Sequence, residues 1–260
     1  MRTAEGKHAE EVNGLIETYG ISDVGCVREL NEDSFCIHGF DEEQDVGFCV
    51  LADGMGGHNA GEVASQSAVK FIAEELNKLL VLKSYANIPQ KLREAIDKAN
   101  EKVYKMSCED SNRSGMGTTV VAVFICRGTA YIANVGDSRA YILSEDEISQ
   151  ITVDHSVVAE LVSAGSITKE EARNHPQKNI ITRALGTDER VISDIFECEC
   201  RSGDTLLICS DGLNTMVDDK RISEIVNEEK NAEDAAKRLS VVAKTSGGID
   251  NITVICVRFV

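Results

Sequence analysis

Short apolar runs recur along the chain, and most of them are followed by a glycine, an aspartate or an asparagine. Runs of this length predict strands, and a nearly continuous apolar run predicts a strand that is buried on both faces. The predicted strands lie near residues 19–25, 34–37, 46–52, 118–126, 129–135, 139–143, 191–200, 204–209 and 251–259. Arg127-Gly128 separates two of these runs, which indicates a β-hairpin.

Other segments repeat apolar residues at the period of an amphipathic helix. The first predicted helix follows the glycine-rich stretch 54–61, and its apolar face consists of Ala64, Ala68, Ile72, Leu76 and Leu79. A second helix has Pro89 in its first turn, where proline is well tolerated. Its apolar face consists of Leu92, Ile96, Ala99, Val103 and Met106. Two more helices are predicted near 219–227 and 232–245.

Residues 154–186 interrupt the succession of strands with a polar segment. A short helix is predicted from Ser156 to Ala164, ended by Gly165, and Thr168 with Glu171 has the spacing of a capping box for another. We expect this segment, called the flap below, to form an inserted lobe over the sheet edge and to contact a substrate.

The predicted elements together indicate an α+β fold in which two antiparallel sheets lie face to face with helices outside. The first 18 residues show no clear periodicity and are predicted to be an N-terminal extension. Residues 19–260 are expected to form one domain, since 260 residues with 42% hydrophobic content suffice for one large core.

Four aspartates stand where predicted strands begin or end: Asp53, Asp137, Asp211 and Asp250. Because they are far apart in sequence, they converge only if their strands share a core. Glycines beside them allow sharp turns and bring bare carbonyl oxygens close to a bound ion. Oxygen ligands without a nearby histidine or thiolate favour magnesium or manganese over zinc or copper. For any single site, an ordinary Asp-Gly turn is the alternative.

Composition limits where in the cell the protein is expected and which kinds of molecule it is expected to bind. A formal net charge of −17 argues against nucleic acid and anionic membranes as partners, since both would repel the chain. The nine cysteines are an odd number, and several lie within apolar runs, so a reducing cytoplasm is expected. The sequence shows neither the apolar core of a signal peptide nor a run long enough to span a bilayer.

Several motifs appear in an order that resembles the protein phosphatase 2C (PPM) family in its bacterial single-domain form. The resemblance covers residues 19 to 260 and is far more specific than any one motif alone. The motifs are RELNED at 28–33, DGMGGH at 53–58, GTT at 117–119, NVGDSR at 134–139, TRALG at 182–186, SDG at 210–212 and DN at 250–251.

This resemblance implies a four-layer αββα sandwich and a centre of two Mn²⁺ or Mg²⁺ ions, with a weaker third ion. It implies hydrolysis of phosphoserine and phosphothreonine in proteins by a metal-activated hydroxide, in opposition to a bacterial Ser/Thr kinase. Two divalent ions about 4 Å apart lower the pKa of a shared water enough to generate hydroxide near neutral pH.

The resemblance also implies which residues bind the two main ions. Asp53 would bridge both ions. Asp211 and Asp250 would hold one of them, and the Gly54 carbonyl, with Glu32 through water, would hold the other.

Further residues have roles implied in the same way. Asp137 would share the third ion with Asp211, and Arg28 would clamp the substrate phosphate, because its planar fork matches two phosphate oxygens. Asp33 and His58 are additional candidates. Met55 stands where eukaryotic relatives have a histidine thought to protonate the leaving group, so the acid is either a metal-bound water or His58.

The expected partners are phosphorylated proteins, including a Ser/Thr kinase, and the chain is expected to be a monomer. One alternative is a non-catalytic pseudophosphatase that binds phosphoproteins, although such a protein would normally lack one of the metal-binding aspartates. Another is a nucleotide-binding protein that uses 54–61 as a phosphate loop, but this stretch lacks the Lys-Ser/Thr pair and the dinucleotide glycine spacing.

Overall fold

Two antiparallel sheets lie face to face in the middle of the molecule, and helices cover both outer faces. The computed structural model describes residues 16–40, 45–57, 60–145 and 147–260. In chain order, the strands are β1 Ile16–Asp23, β2 Asp33–Gly39, β3 Val46–Met55, β4 Gly117–Thr118, β5 Val120–Cys126, β6 Thr129–Val135, β7 Arg139–Ser144, β8 Glu147–Gln150, β9 Asp194–Glu199, β10 Thr205–Cys209 and β11 Ile252–Phe259.

One sheet has the strand order β1-β11-β10-β7-β8, and the other has the order β2-β3-β5-β6-β9 with β4 paired to β3. The helices are α1 Ala60–Val81, α2 Ile88–Glu109, α3 Val157–Ser163, α4 Lys169–Arg173, α5 Asp211–Asn214, α6 Asp219–Glu228 and α7 Ala232–Thr245. In the described part of the chain, no helix combines the length and the apolar character needed to cross a bilayer.

Alternate residues of the central strands belong to different cores, because successive side chains of a strand point to opposite faces. In β3, Phe48 and Val50 pack against α1 and α2, whereas Cys49 and Leu51 pack in the space between the sheets. Strand β11 divides in the same way between the core under α6 and α7 and the space between the sheets. Three cores between four layers confirm the predicted αββα sandwich.

The predicted helices and the hairpin at Arg127-Gly128 are confirmed, with boundaries shifted by a few residues. The predicted extension ends too late, because β1 begins at Ile16 and pairs with Phe259 of β11. Strand β3 also runs two residues beyond Asp53, since Gly54 and Met55 pair with β4. Asp53 therefore lies within a strand rather than at its end.

The flap lies between β8 and β9 and contains α3 and α4. A bridge between Ser156 and Ile181 closes its base. The capping box of α4 is present, with the Thr168 side chain accepting from the Glu171 N–H and the Glu171 carboxylate accepting from the Thr168 N–H. The two predicted short helices of this segment are thus confirmed.

Candidate metal and substrate site

Six acidic residues, called the carboxylate cluster below, gather at one end of the space between the two sheets. The antiparallel connections bring the ends of β3, β6 and β10 to the same place as the beginnings of β2 and β11. Asp33 lies directly opposite Asp53 in the β2–β3 register, so their side chains share one face. The cluster consists of Glu32, Asp33, Asp53, Asp137, Asp211 and Asp250.

Burial and crowding disfavour the ionised forms of four carboxylates of the cluster. Burial, followed by repulsion from Asp33, Asp211, Asp137 and Asp250, raises the pKa of Asp53 well above its usual value. Burial and the charge of Asp211 likewise raise the pKa of Asp137 to about 7. These are the shifts expected where several negative charges share a poorly solvated site.

The same causes act on the two carboxylates nearest β10. Burial raises the pKa of Asp33 to about 7, although hydrogen bonds from Thr253 and Ser210 oppose the shift. Burial and Asp250 raise the pKa of Asp211 to about 6. The cluster therefore holds more negative charge than the protein around it neutralises, which favours binding of cations.

Hydroxyl groups fix the strands that carry Asp53. The Asp53 N–H donates to Thr119 Oγ1 at 3.0 Å, and the Asp53 carbonyl accepts from Thr118 Oγ1 at 2.8 Å and from the Thr119 N–H at 2.9 Å. Thr119 Oγ1 lies 2.7 Å from Ser138 Oγ, next to Asp137. The GTT motif thus connects the backbone of β3 to the turn that carries Asp137.

Two more hydroxyls hold Asp33, which is only 8% exposed. Ser210 Oγ and Thr253 Oγ1 donate to Asp33 Oδ2 at 2.8 and 2.6 Å, respectively. The other oxygen, Oδ1, is buried without a partner. One side of this carboxylate is fixed and the other is available to a further ligand.

Asn251 organises the loop that carries Arg28 and Glu32. Its Oδ1 accepts from the Glu32 N–H at 2.8 Å, and its Nδ2 donates to the carbonyls of Val24 and Leu30 at 3.0 and 2.9 Å. The two residues of the DN motif therefore have different tasks: Asp250 contributes a charge, and Asn251 holds a loop in place.

Glu32 and Gly54 form an oxygen-rich corner of the site. The Gly54 N–H donates to the Glu32 carbonyl at 3.1 Å, and a side chain at Gly54 would collide with the backbone oxygens of Gly61 and Glu32. Glu32 Oε1 is buried without a partner, as is Asp33 Oδ1. Because buried carboxylate oxygens are normally satisfied, these two atoms and the all-oxygen donor set fit a hard divalent cation.

Arg28 is engaged by the cluster itself. Its Nη2 donates to Asp250 Oδ2 at 2.8 Å, in an ion pair whose side chains are 50% and 31% exposed. Among the described residues, no three His, Cys, Asp or Glu side chains lie in an arrangement that holds an ion as they stand. The Arg28 guanidinium therefore neutralises part of the charge of Asp250 in this structure.

The family model for protein phosphatase 2C matches residues 27–246. The chain belongs to the protein phosphatase 2C family. The serine/threonine phosphatase Stp of Listeria monocytogenes is 39% identical over 237 residues, which cover 91% of this chain and 93% of that protein. The crystal structure of the serine/threonine phosphatase Stp1 from Staphylococcus aureus matches with a TM-score of 0.84 and 38% identity, covering 99% of this chain and 100% of that one.

A further crystal structure, of the catalytic domain of the serine/threonine protein phosphatase PstP, contains two manganese ions. It matches this phosphatase 2C chain with a TM-score of 0.82 and 34% identity, covering 94% of this chain and 98% of that one. The predicted family is confirmed, and the names of these relatives confirm the predicted enzyme class. The two manganese ions agree with the predicted dependence on manganese or magnesium.

A cleft of about 790 Å³ adjoins the carboxylate cluster in this phosphatase 2C fold. Asp137 and Asp211 line it, whereas Asp53 and Asp250 do not. Its opposite wall is formed by the flap, including Lys169, Arg173 and Lys178. The cleft therefore leads from the flap to one side of the cluster.

The sequence-predicted acidic residues and His58 fall into two groups. Asp53, Asp137, Asp211, Asp250 and Glu32 come together with Asp33, while His58 lies outside the described residues. It was not predicted from the sequence that hydroxyl and amide side chains hold the carboxylates and their loops in place. The sequence carried a signal for it, since Ser210, Thr253 and Asn251 are polar residues in or beside strongly apolar strands.

Proposed function

We propose that this chain hydrolyses phosphoserine and phosphothreonine in proteins with the help of divalent cations bound at the carboxylate cluster, in opposition to a Ser/Thr kinase. The observation that carries the proposal is the gathering of six acidic side chains beside a cleft in a phosphatase 2C fold, with the pKa raised at Asp33, Asp53, Asp137 and Asp211. The names of the relatives support the substrate class.

Different residues of the cluster would bind each ion. Asp53, at the centre of the mutual repulsion, would contact both main ions. Asp211 and Asp250 would hold one, and Glu32 with the Gly54 carbonyl would hold the other. Asp137 and Asp211, which both line the cleft, would share a third. Asp33 would support the site through its free buried oxygen.

Bound divalent cations supply Lewis-acid charge at the phosphate and lower the pKa of a bound water. The chain contributes the positions of the carboxylates and a guanidinium. Arg28 is half exposed and reaches Asp250, so it can exchange this carboxylate for two phosphate oxygens when Asp250 is otherwise engaged. Met55 has a thioether and no proton to donate, so it cannot serve as the general acid.

The cleft supports a polypeptide substrate. Residues that flank the phosphorylated side chain would lie between the flap and the segment 214–219, which joins α5 to α6, while the phosphate would reach the cluster. Lys169, Arg173 and Lys178 place positive charge on the flap of a chain whose net charge is −17. The proposal includes that the enzyme is monomeric and cytoplasmic and that it binds neither nucleic acid nor membranes.

The test is hydrolysis of a phosphothreonine peptide by the full chain with and without Mn²⁺, compared with Asp53→Asn. We expect turnover that requires Mn²⁺ and is lost in the variant, since the substitution removes a charge that both ions need. Binding of the phosphopeptide by the wild type without turnover would favour the pseudophosphatase instead. Equal rates for Asp53→Asn and the wild type would overturn the assignment of the site.

A further inference from the structure

His155 is a buried histidine outside the carboxylate cluster, at the entrance to the flap, and it is 4% exposed. Its Nδ1 lies 3.0 Å from the Gly136 backbone nitrogen. Because an amide N–H can only donate, Nδ1 must accept, and the ring carries its proton on Nε2. The structure thereby selects one tautomer of His155.

The opposite nitrogen contacts the strand that follows the flap. Nε2 lies 3.0 Å from Asp194 Oδ2, and Arg183 Nη1 donates to Asp194 Oδ1 at 3.1 Å. Arg183 Nη1 is also 3.2 Å from Nε2, but both groups are donors in this tautomer, so Asp194 is their common acceptor. Asp194 thus orients the ring of His155 as a carboxylate orients a metal-binding histidine.

The backbone of His155 makes a second connection between the same parts. Its N–H donates to the Gly136 carbonyl at 2.9 Å, and its carbonyl accepts from the Thr182 N–H at 2.8 Å. Gly136 therefore has both its N–H and its carbonyl bound by one residue. The two ends of the flap meet at this point.

Gly136 and Arg139 lie on either side of Asp137 in the sequence. Each forms hydrogen bonds with one of the first two residues of the flap, Asp154 and His155. Arg139 Nε and Nη2 donate to Asp154 at 2.9 and 2.7 Å, while Gly136 is held by His155. Gly136 has φ +105°, and a side chain there would collide with Thr119. The turn that aims Asp137 therefore depends on a glycine amide whose partner is an imidazole.

We propose that His155 is a positioning residue that fixes the Asp137 carboxylate through Gly136 and so sets the affinity for the cation shared by Asp137 and Asp211. The proposal rests on the proposed function, because it presupposes that ion. His155 contacts no cluster carboxylate among its hydrogen-bond partners, so it acts through the backbone and not as a ligand.

The experiment compares Mn²⁺ binding by the full-length wild type, His155→Ala, His155→Asn and His155→Gln. Bound ions are counted by electron paramagnetic resonance of free Mn²⁺, and Asp137→Asn serves as the reference that loses the weak ion. An asparagine side chain can place an acceptor near the position of Nδ1, whereas a glutamine places its terminal group nearer to Nε2.

Removing the partner of a group that orients a ligand commonly costs about 10 to 100-fold in metal affinity. We therefore expect His155→Ala and His155→Gln to weaken the weak ion by about that factor and to leave the two strong ions unchanged. His155→Asn should retain most of the affinity. Hydrogen exchange of the Gly136 amide should accelerate in the first two variants and not in the third.

Wild-type affinity for the weak ion in His155→Ala, with Asp137→Asn lacking that ion, would overturn the proposal. So would a larger loss in His155→Asn than in His155→Gln, a comparison that still decides if the alanine variant fails to fold. Failure of the proposed function has a different signature, since the wild type itself would then bind no Mn²⁺ or hydrolyse no phosphopeptide.

Discussion

Replacing Asp211 with asparagine should stabilise the chain when divalent cations are removed and destabilise it relative to the wild type when they are present. The reason is the raised pKa of Asp211, about 6, which results from burial and from the charge of Asp250. When the pKa of a carboxyl group is raised in the folded state, the group favours folding fully at a pH below its ordinary pKa of 3.8. This contribution is lost as the pH rises through the folded-state pKa of about 6. Above that pH the ionised Asp211 opposes folding, and an asparagine does not.

The magnitude follows from the shift. The pKa rises from 3.8 to about 6, and one pKa unit corresponds to about 1.4 kcal/mol, so the penalty is at most about 3 kcal/mol at pH 7.5. For a domain of this size, about 1 kcal/mol moves the melting temperature by about 2–4 °C. Asp211→Asn should then melt up to about 10 °C above the wild type in chelator at pH 7.5, and at the same temperature at pH 4.

Manganese should reverse the order. A cation at 100 times its dissociation constant stabilises the folded state by about 2.7 kcal/mol per site, and Asp211→Asn forfeits this gain at the sites that use Asp211. Thermal unfolding at pH 4, 5.5 and 7.5, each with chelator and with Mn²⁺, measures both effects. Asp97→Asn on the exposed face of α2 is the control for removing one negative charge. A melting temperature for Asp211→Asn below that of the wild type in chelator at pH 7.5 would refute the reasoning.

Two further predictions concern single contacts of the site. Arg28→Ala should raise KM for a phosphothreonine peptide while Mn²⁺ affinity is retained or improved, because the ion pair with Asp250 competes with the metal; a parallel loss of Mn²⁺ binding in a titration would contradict this. Thr253→Val removes a donor from buried Asp33 and should cost about 1–3 kcal/mol in the free energy of unfolding, more at pH 7.5 than at pH 4, since the lost bond favours the ionised carboxylate; an equal loss at both pH values, measured by denaturant titration, would argue against it.

The layers of the fold were predictable because strand and helix periods differ and because buried strands are almost wholly apolar. Phe48, Val50 and their neighbours predicted a strand buried on both faces, and both faces are buried. The beginning of β1 was not predictable in the same way. Ile16 to Thr18 carry no apolar pattern, and they form a strand because the edge of β11 offers them backbone partners.

The candidate site was predictable in its charges but not in its connections. Acidic residues at strand ends are visible along the chain, whereas the Asp33–Asp53 pairing depends on the register of β2 against β3. The ion pair between Arg28 and Asp250 joins residues 222 positions apart, and no local pattern indicates it. No sequence pattern predicts a role for His155 either, since that role comes from contacts with Gly136 and Asp194.

Stability of the fold does not explain the carboxylate cluster. Two carboxylates directly opposite each other in adjacent strands repel, and burial makes each of them costlier, so a pair of apolar residues at Asp33 and Asp53 would serve the sandwich better. The chain instead keeps these charges in place: the hydroxyls of Ser210 and Thr253 donate to the Asp33 carboxylate, and the Thr119 hydroxyl accepts from the Asp53 N–H. Hydrogen bonds that hold mutually repelling carboxylates together are expected where a bound cation relieves the repulsion. The surface charges of the rest of the chain need no such support.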